Sequence, residues 1–278
     1  VFVLVRGLYA AASGALVAQS MADNVATNLA NVNSNGFKQT LLQVESTPTL
    51  DIYRIQTDPG RTAGRATPGV PVAPYVGALG TGAQVYDTPE DFAQGPLQQT
   101  GNHLDLALTG ANQFFTILTP QGLRFTRDGQ FTLDANGALR TMDGNFVLGT
   151  TGRPIVFNTT QGQATFNADG TITQAPQAGQ TAAAATQVGT LQIASFGNLL
   201  ALRKEGDNNF VDTGAAQPAA TTNVSVQQGF LEKSNGNVVR AMVDLITAER
   251  WFDANQRVMK AQDDATNQAI SNLAKTNP

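Results

Sequence analysis

The chain has 278 residues, a net charge of −4 and no cysteine, which allows one large domain or two smaller ones and excludes disulfides and thiolate metal sites. Its 17 Lys and Arg never form a run, so no nucleic-acid footprint is expected. Charged residues are 14% of the chain, against roughly 25% in an ordinary soluble domain; so weak a surface charge suits a protein covered by neighbours, and a neutral secreted protein would share it.

The first eighteen residues, VFVLVRGLYAAASGALVA, have the look of a signal peptide, but Arg6 interrupts the apolar run. No ordered charged, apolar and cleavage regions follow, and the segment is too broken to span a bilayer. Export, if it occurs, is expected to use another route, and no membrane insertion is expected. A heptad runs through the segment instead. Leu8, Ala15, Ala22 and Leu29 are seven apart, and Leu4, Ala11, Ala18, Val25 and Val32 form a second line offset by three. This predicts a helix with an apolar seam. Its alanines permit close approach of a partner helix, although a core helix of a globular domain carries the same pattern.

The seam ends in NLANVNSNGF, residues 28–37. Asparagine is a poor helix former because its amide competes for backbone hydrogen bonds. Asn28 flanks Leu29 and Asn31 flanks Val32, so both are expected at a helix–helix edge, where amides donate and accept between subunits. Asn33-Ser34-Asn35-Gly36 reads as the stop, with Gly36 the residue past the helix end and Phe37 packing after the turn.

Residues 46–80 carry five prolines and read as an extended, irregular crossing. Phe114–Gly149 alternates β-prone runs with turn clusters at Pro120-Gln121-Gly122, Arg127-Asp128-Gly129, Asp134-Ala135-Asn136-Gly137 and Asp143-Gly144-Asn145. This predicts an antiparallel meander. Ala164–Thr173 adds a hairpin, and Gly189–Phe196 and Asn209–Thr213 add strands. Residues 174–187 are of low complexity and read as a loop.

From Asn237 to about Lys275 there is no Gly or Pro. Val238, Leu245, Phe252 and Met259 repeat at seven, Leu273 falls on the same line, and Met242, Ile246 and Ala248 widen the stripe. At ~1.5 Å per residue this helix is roughly 55–60 Å long, and so long a heptad helix pairs with something. Gly236, just before it, could kink or delay its start. The predicted fold is therefore α+β: long N- and C-terminal helices paired as a coiled-coil layer, with a central antiparallel β-rich domain. The corresponding segments are 1–36 (N-terminal helix), 37–93 (extended linker), 94–225 (β-rich domain) and 226–278 (C-terminal helix with its approach strand).

No catalytic constellation accompanies this architecture. His103 is the lone histidine; alternation with Leu104, Leu106 and Leu108 places it with Asp105 on one polar strand face. The turns DANG and NADG lack the spacing of a calcium loop. GALGTG lacks the Lys-Ser/Thr of a phosphate loop, and no Gly-x-Ser-x-Gly elbow occurs. Asp263-Asp264 reads as a solvated helix face. No cofactor, metal, small-molecule substrate or nucleic acid is expected, and the protein is expected not to be an enzyme.

Three stretches resemble the flagellar basal-body rod and hook family: Arg6–Thr40 its N-terminal signature, Gln94–Gly144 the central β-domain of its rod members, and Val226–Ser271 its C-terminal helix with its approach. Ala194–Thr213 also matches in pattern. The opening RGLYAAASGAL and the end NQRVMKAQDDATNQAIS look more like the proximal rod member; GALGTGAQV, residues 77–85, looks like the distal one. The departures are Gly236 and the pair Trp251-Phe252. The resemblance implies a non-catalytic subunit exported through the flagellar secretion apparatus, which assembles with itself and with other rod and hook-basal-body subunits in the periplasmic rod and transmits torque. Its expected assembly residues are Leu8, Ala11, Ala15, Ala18, Ala22, Val25, Asn28, Leu29, Asn31 and Val32 on the first helix. Asn35, Gly36 and Phe37 form the turn, and Val238, Met242, Leu245, Ile246, Phe252 and Met259 lie on the last helix. Two other classes compete: an appendage protein whose β-domain binds a partner while its helices trimerise, and a secreted enzyme whose carboxylates come from distant loops.

Overall fold

The computed structural model describes residues 2–53, 75–110, 112–176, 185–206, 208–216, 218–220 and 224–275. The chain divides into two compact units, residues 1–25, 42–88 and 243–278 in the first, 26–41 and 89–242 in the second. Helix α1 (Phe2–Ala30) opens the chain and α2 (Val238–Lys275) closes it. Between them run short strands, and among the described residues every strand pairing is antiparallel. No described helix is long and apolar enough to cross a membrane.

In the first unit the crossing expected to be irregular is a ribbon where it is described. Gln43–Ser46 pairs with Ala83–Asp87, and Leu50–Tyr53 pairs with Tyr75–Leu79. Pro48 lies in the break between the two ladders, where a missing N–H costs no ladder bond. Residues 54–74, the rest of that expectation, lie outside the described residues. The ribbon rests on α1, where Ser13 Oγ accepts from Ala83 N at 3.3 Å.

The expected coiled-coil layer is corrected. The described chain is a mainly antiparallel β protein with one α-helix at each end, not an α+β fold built on two long paired helices. Where the helices of the first unit approach, glycine faces amide. A Cβ on Gly7 would lie 2.9 Å from Gln262 Nε2, and one on Gly14 would lie 2.8 Å from Asn255 Oδ1. Val238, Met242 and Ile246 of the expected stripe stay 38%, 50% and 49% exposed. The alanines and glycines of α1 offer little surface for interlocking apolar knobs, so polar side chains occupy the close positions. The side chains of Leu4 and Leu273, named in the two heptads, lie outside the described residues.

In the second unit a nine-stranded sheet carries Gln113–Thr119 at its centre, flanked by Gly122–Thr126, Phe146–Val147 and Ile193–Ser195. Successive side chains of a strand point to opposite faces, and here both faces are covered. Phe115 and Ile117 join Leu106, Phe131, Leu139 and Val147 in one buried cluster. Phe114 joins Phe92, Phe125, Phe196 and Phe210 in the other, with ring pairs such as Phe114–Phe196 edge to face at 5.5 Å.

Three of the four predicted turns close hairpins, at Pro120–Gly122, Asp134–Gly137 and Asp143–Asn145. The fourth does not. After Gly122–Thr126 the chain crosses to the far edge, where Phe131–Leu133 pairs with Leu139–Thr141. Ala164–Phe166 and Thr171–Gln174 form the expected hairpin. Of the expected loop 174–187, residues 177–184 lie outside the described residues, and a strand runs from Thr186 to Thr190. His103 is exposed, but Asp105 is buried, 4% exposed, and accepts from Asn102 Nδ2 at 2.9 Å. The strand that follows, Leu106–Leu108, is buried throughout, so the expected polar face is corrected. Gly236 does not delay α2. It precedes the cap, and Asn237 Oδ1 accepts from Arg240 N at 3.0 Å, a helix N-cap.

Candidate functional site

The second unit contains a joint in which four distant segments meet: the turn after α1, residues 90–95, the crossover 127–130 and the approach to α2, residues 232–235. It begins with the asparagines. The Asn28 amide closes a double bond to the backbone of Thr40, donating to its oxygen at 2.8 Å and accepting from its nitrogen at 2.9 Å. Asn31 Nδ2 donates to Thr27 O at 3.0 Å. Asn35 takes three partners. Its Nδ2 donates to Gln130 Oε1 at 2.9 Å, its Oδ1 accepts from Lys233 Nζ at 2.7 Å, and its carbonyl accepts from Asn208 Nδ2 at 3.0 Å.

Gly36 then takes φ +66°, and its N–H donates to Glu232 O at 2.7 Å. A Cβ there would lie 2.4 Å from Asp128 N and 2.5 Å from Arg127 C, so both the conformation and the space require glycine. The residue lies beyond the helix end at Ala30: its positive φ serves the seating of the turn on the crossover rather than a helix cap. Phe37 is buried, with Lys204 Nζ 3.6 Å from its ring centroid. Burial lowers the Lys204 pKa, against the opposing pull of Glu90.

At the centre lies a buried ionic triad. Glu232 Oε1 accepts from Lys38 Nζ at 2.6 Å and from Gly95 N at 2.9 Å, and Oε2 accepts from Arg127 Nη1 at 3.1 Å. All three side chains are 0% exposed. Two further bonds run to backbone carbonyls. Lys38 Nζ reaches Ala93 O at 2.7 Å and Arg127 Nη2 reaches Gly110 O at 2.6 Å. Burial lowers the pKa of both cations, and Glu232 opposes that shift in each. Asn235 adds a polar stitch, accepting from Gln39 N at 2.9 Å and donating to Asp91 O at 2.7 Å.

The crossover is shaped by Asp128 and Gly129. Asp128 Oδ1 accepts from Gln130 N at 3.0 Å, an Asx turn. A Cβ on Gly129 would lie 1.7 Å from Leu106 O, so backbone packs on backbone, which turns the chain away from a hairpin. Gly129→Ala is expected to destabilise the protein by about 3 kcal/mol through this overlap. Urea unfolding checks it, and a loss under 1 kcal/mol would show that the crossover yields.

Burial pushes the Asp128 carboxyl up to about 6, with Asp143 and Asp105 adding to the rise and the Gln130 N–H and Lys233 opposing it. The folded state therefore holds this proton more tightly than the unfolded chain does. The contribution is fully present below pH ~4 and is lost as pH rises through about 6. Asp128→Asn keeps an acceptor for Gln130 and removes the charge. It is expected to raise stability at pH 7.5 by about 1–2 kcal/mol and to flatten the pH profile between 4 and 7. An unchanged profile would exclude Asp128 as its source.

The expected assembly residues are distributed as follows. Ala11, Ala15 and Ala18 are buried, while Leu8, Ala22, Val25, Asn28, Leu29, Asn31 and Val32 are half-buried. Leu245, Phe252 and Met259 are half-buried and Val238, Met242 and Ile246 are exposed. Ala18, Ala22 and Phe252 share one cleft of the first unit; Asn35, Gly36 and Phe37 belong to the joint. Lys38, Arg127 and Glu232 escape a reading by residue type and spacing, because Lys38 and Glu232 stand 194 positions apart. The usable signal is their place beside turn glycines, in GFK, TRDG and GFLE.

A family model for the flagellar basal body rod FlgEFG protein C-terminal region matches residues 227–273. One for the flagellar hook protein FlgE/F/G D1 domain matches residues 107–174. Over the whole length, the chain is 30% identical to the flagellar basal-body rod protein FlgF of Caulobacter vibrioides, covering 98% of this chain and 99% of that protein. It is 31% identical to FlgG of Bacillus subtilis and 33% to FlgG of Agrobacterium fabrum, each over 96% of this chain and 99% of the relative. These relatives are structural proteins rather than enzymes. With end-to-end similarity to both kinds of rod protein, and with both family models falling on the β-rich core and α2, the chain belongs to the FlgF/FlgG family of flagellar basal-body rod proteins.

Proposed function

We propose that this chain is a structural subunit of the flagellar rod, associating with other axial subunits and with itself, and that it occupies the proximal rod, the place of the FlgF relatives. The observation that carries the structural role is the joint. A rod that transmits torque must pass load between each subunit's ends and its β-domain without unfolding, and the Lys38–Glu232–Arg127 triad ties the turn after α1, the approach to α2 and the crossover together at one carboxylate. The faces of α1 and α2 named above, including exposed Val238, Met242 and Ile246, serve neighbouring subunits in this reading. The likeness of residues 6–16 and 255–271 to proximal rod proteins supports the finer assignment, while residues 77–85 favour the distal rod as a second reading.

Deletion of the gene, followed by imaging of purified basal bodies, tests both levels. A rod that stops near its base supports the proximal place, and one that stops near the hook supports the distal. Complete basal bodies and normal swimming would overturn the structural role.

A further inference from the structure

The sequence holds three Asn-Gly pairs, Asn35-Gly36, Asn136-Gly137 and Asn235-Gly236. Asparagine before glycine is prone to deamidation, because glycine has no side chain to shield its nitrogen and turns freely. The glycine nitrogen attacks the asparagine Cγ, an N–Cγ bond forms and the side-chain nitrogen leaves as ammonia, carrying the proton the glycine gives up. Water then opens the succinimide to aspartate or to isoaspartate, in which the backbone runs through the former side chain. The step needs an amide that can rotate and a glycine N–H that is not engaged as a donor.

Two of the three pairs lie in the joint, where both reacting groups are held. Gly36 is buried, and its N–H donates to Glu232 O at 2.7 Å. The Asn35 amide is tied at both ends, to Gln130 Oε1 at 2.9 Å and to Lys233 Nζ at 2.7 Å. Gly236 N–H donates to Ser234 Oγ at 3.1 Å. The Asn235 amide spans Gln39 N at 2.9 Å and Asp91 O at 2.7 Å. The third pair differs: Asn136 is exposed, and its side-chain amide makes no hydrogen bond among the described residues. The two held pairs also depend on one contact. Parting the turn after α1 from the approach to α2 takes Glu232 O and Lys233 from Asn35-Gly36, and Gln39 N from Asn235, in a single opening.

We propose that Asn35 and Asn235 are deamidation sites gated by the joint, closed to reaction while it is seated and converted when it stays apart. The products do not fit the closed joint. Isoaspartate at 35 lengthens the backbone just before Gly36, which has no room beside Arg127 and Asp128. At 235 an oxygen in place of Nδ2 faces Asp91 O, acceptor against acceptor. An opening that lasts is thereby made permanent by chemistry. The proposal does not rest on the rod reading.

The test is mass-spectrometric peptide mapping of the purified full-length chain after incubation in mildly alkaline buffer, folded and in denaturing urea. Conversion at Asn35 and at Asn235 is expected to be slower in the folded protein by at least about tenfold, since it follows the population of the open joint. A smaller slowing at either site would overturn the proposal.

Coupling through the joint gives a second readout. Glu232→Gln touches neither asparagine and loosens the joint, so conversion at both sites is expected to rise together by about tenfold or more, with Asn136 unchanged within about twofold. Wild-type protein in graded urea below its unfolding transition gives the same comparison should that variant fail to fold. Acceleration of one joint site without the other would overturn the gating, as would a rise at Asn136 equal to theirs. In folded protein aged until conversion is measurable, brief proteolysis is expected to remove chains converted at 35 or 235 first. Survival of those chains in the same proportion as unconverted ones would show that the joint closes over the products and would overturn that part of the proposal.

Discussion

Replacing Glu232 by alanine is expected to lower the stability of the protein by about 3–5 kcal/mol, a large share of the total for any domain. The carboxylate accepts from both Lys38 and Arg127, whose side chains are fully buried. Its removal leaves two cations in a low-dielectric interior and an unmet donor at Gly95. Glu232→Gln keeps an acceptor but not the charge, and is expected to cost nearly as much. The triad need not be the most stable filling of that space. Replacing Lys38, Arg127 and Glu232 together by apolar residues of similar volume is expected to recover much of the loss, because desolvation of all three charges is then avoided. Urea unfolding of the single and triple variants checks this. A single variant within 1 kcal/mol of wild type would show that water reaches the site and relieves the charges.

The second large effect falls at Gly36. Valine there must adopt φ +66°, where a β-branched residue is strained by about 2 kcal/mol, and its Cβ must displace the backbone between Arg127 and Asp128. Together these are expected to cost about 4 kcal/mol or more. In cells the variant is expected to leave rods incomplete. Gly36→Ala separates the two causes: it shares the overlap and most of the conformational strain but not the branching, so it should fall between wild type and valine. Normal rods from the valine variant would falsify the view that this turn is rigidly seated.

Both terminal helices were legible in the sequence because each is one continuous segment with its own period and stop. Asn237 even marked the first residue before α2 (Val238–Lys275). Hairpins were legible where Asp-Gly or Asn-Gly joined strands that pair with each other. Arg127-Asp128-Gly129 has the same composition, but its glycine is needed for contact with Leu106 O, which lies outside any local window. The layer inferred from the heptads failed for a related reason. A seven-residue period marks which face of a helix is apolar, and it does not reveal that Asn255 and Gln262 will fill the positions opposite Gly14 and Gly7. The joint was the least legible part. Its asparagines were visible as a cluster, while the segments they and Lys38 bind are fixed only by the complete fold.

The separation between Lys38 and Glu232 has a consequence in time. A polypeptide is made from its N-terminus, so Lys38 and Arg127 are both present well before the carboxylate that neutralises them. Until residue 232 emerges, closing this joint would bury two positive charges unmatched. A chain cut short upstream therefore has no stable way to adopt the finished arrangement. The triad acts as a test of completeness, separating whole molecules from fragments before either could be built into a load-bearing column.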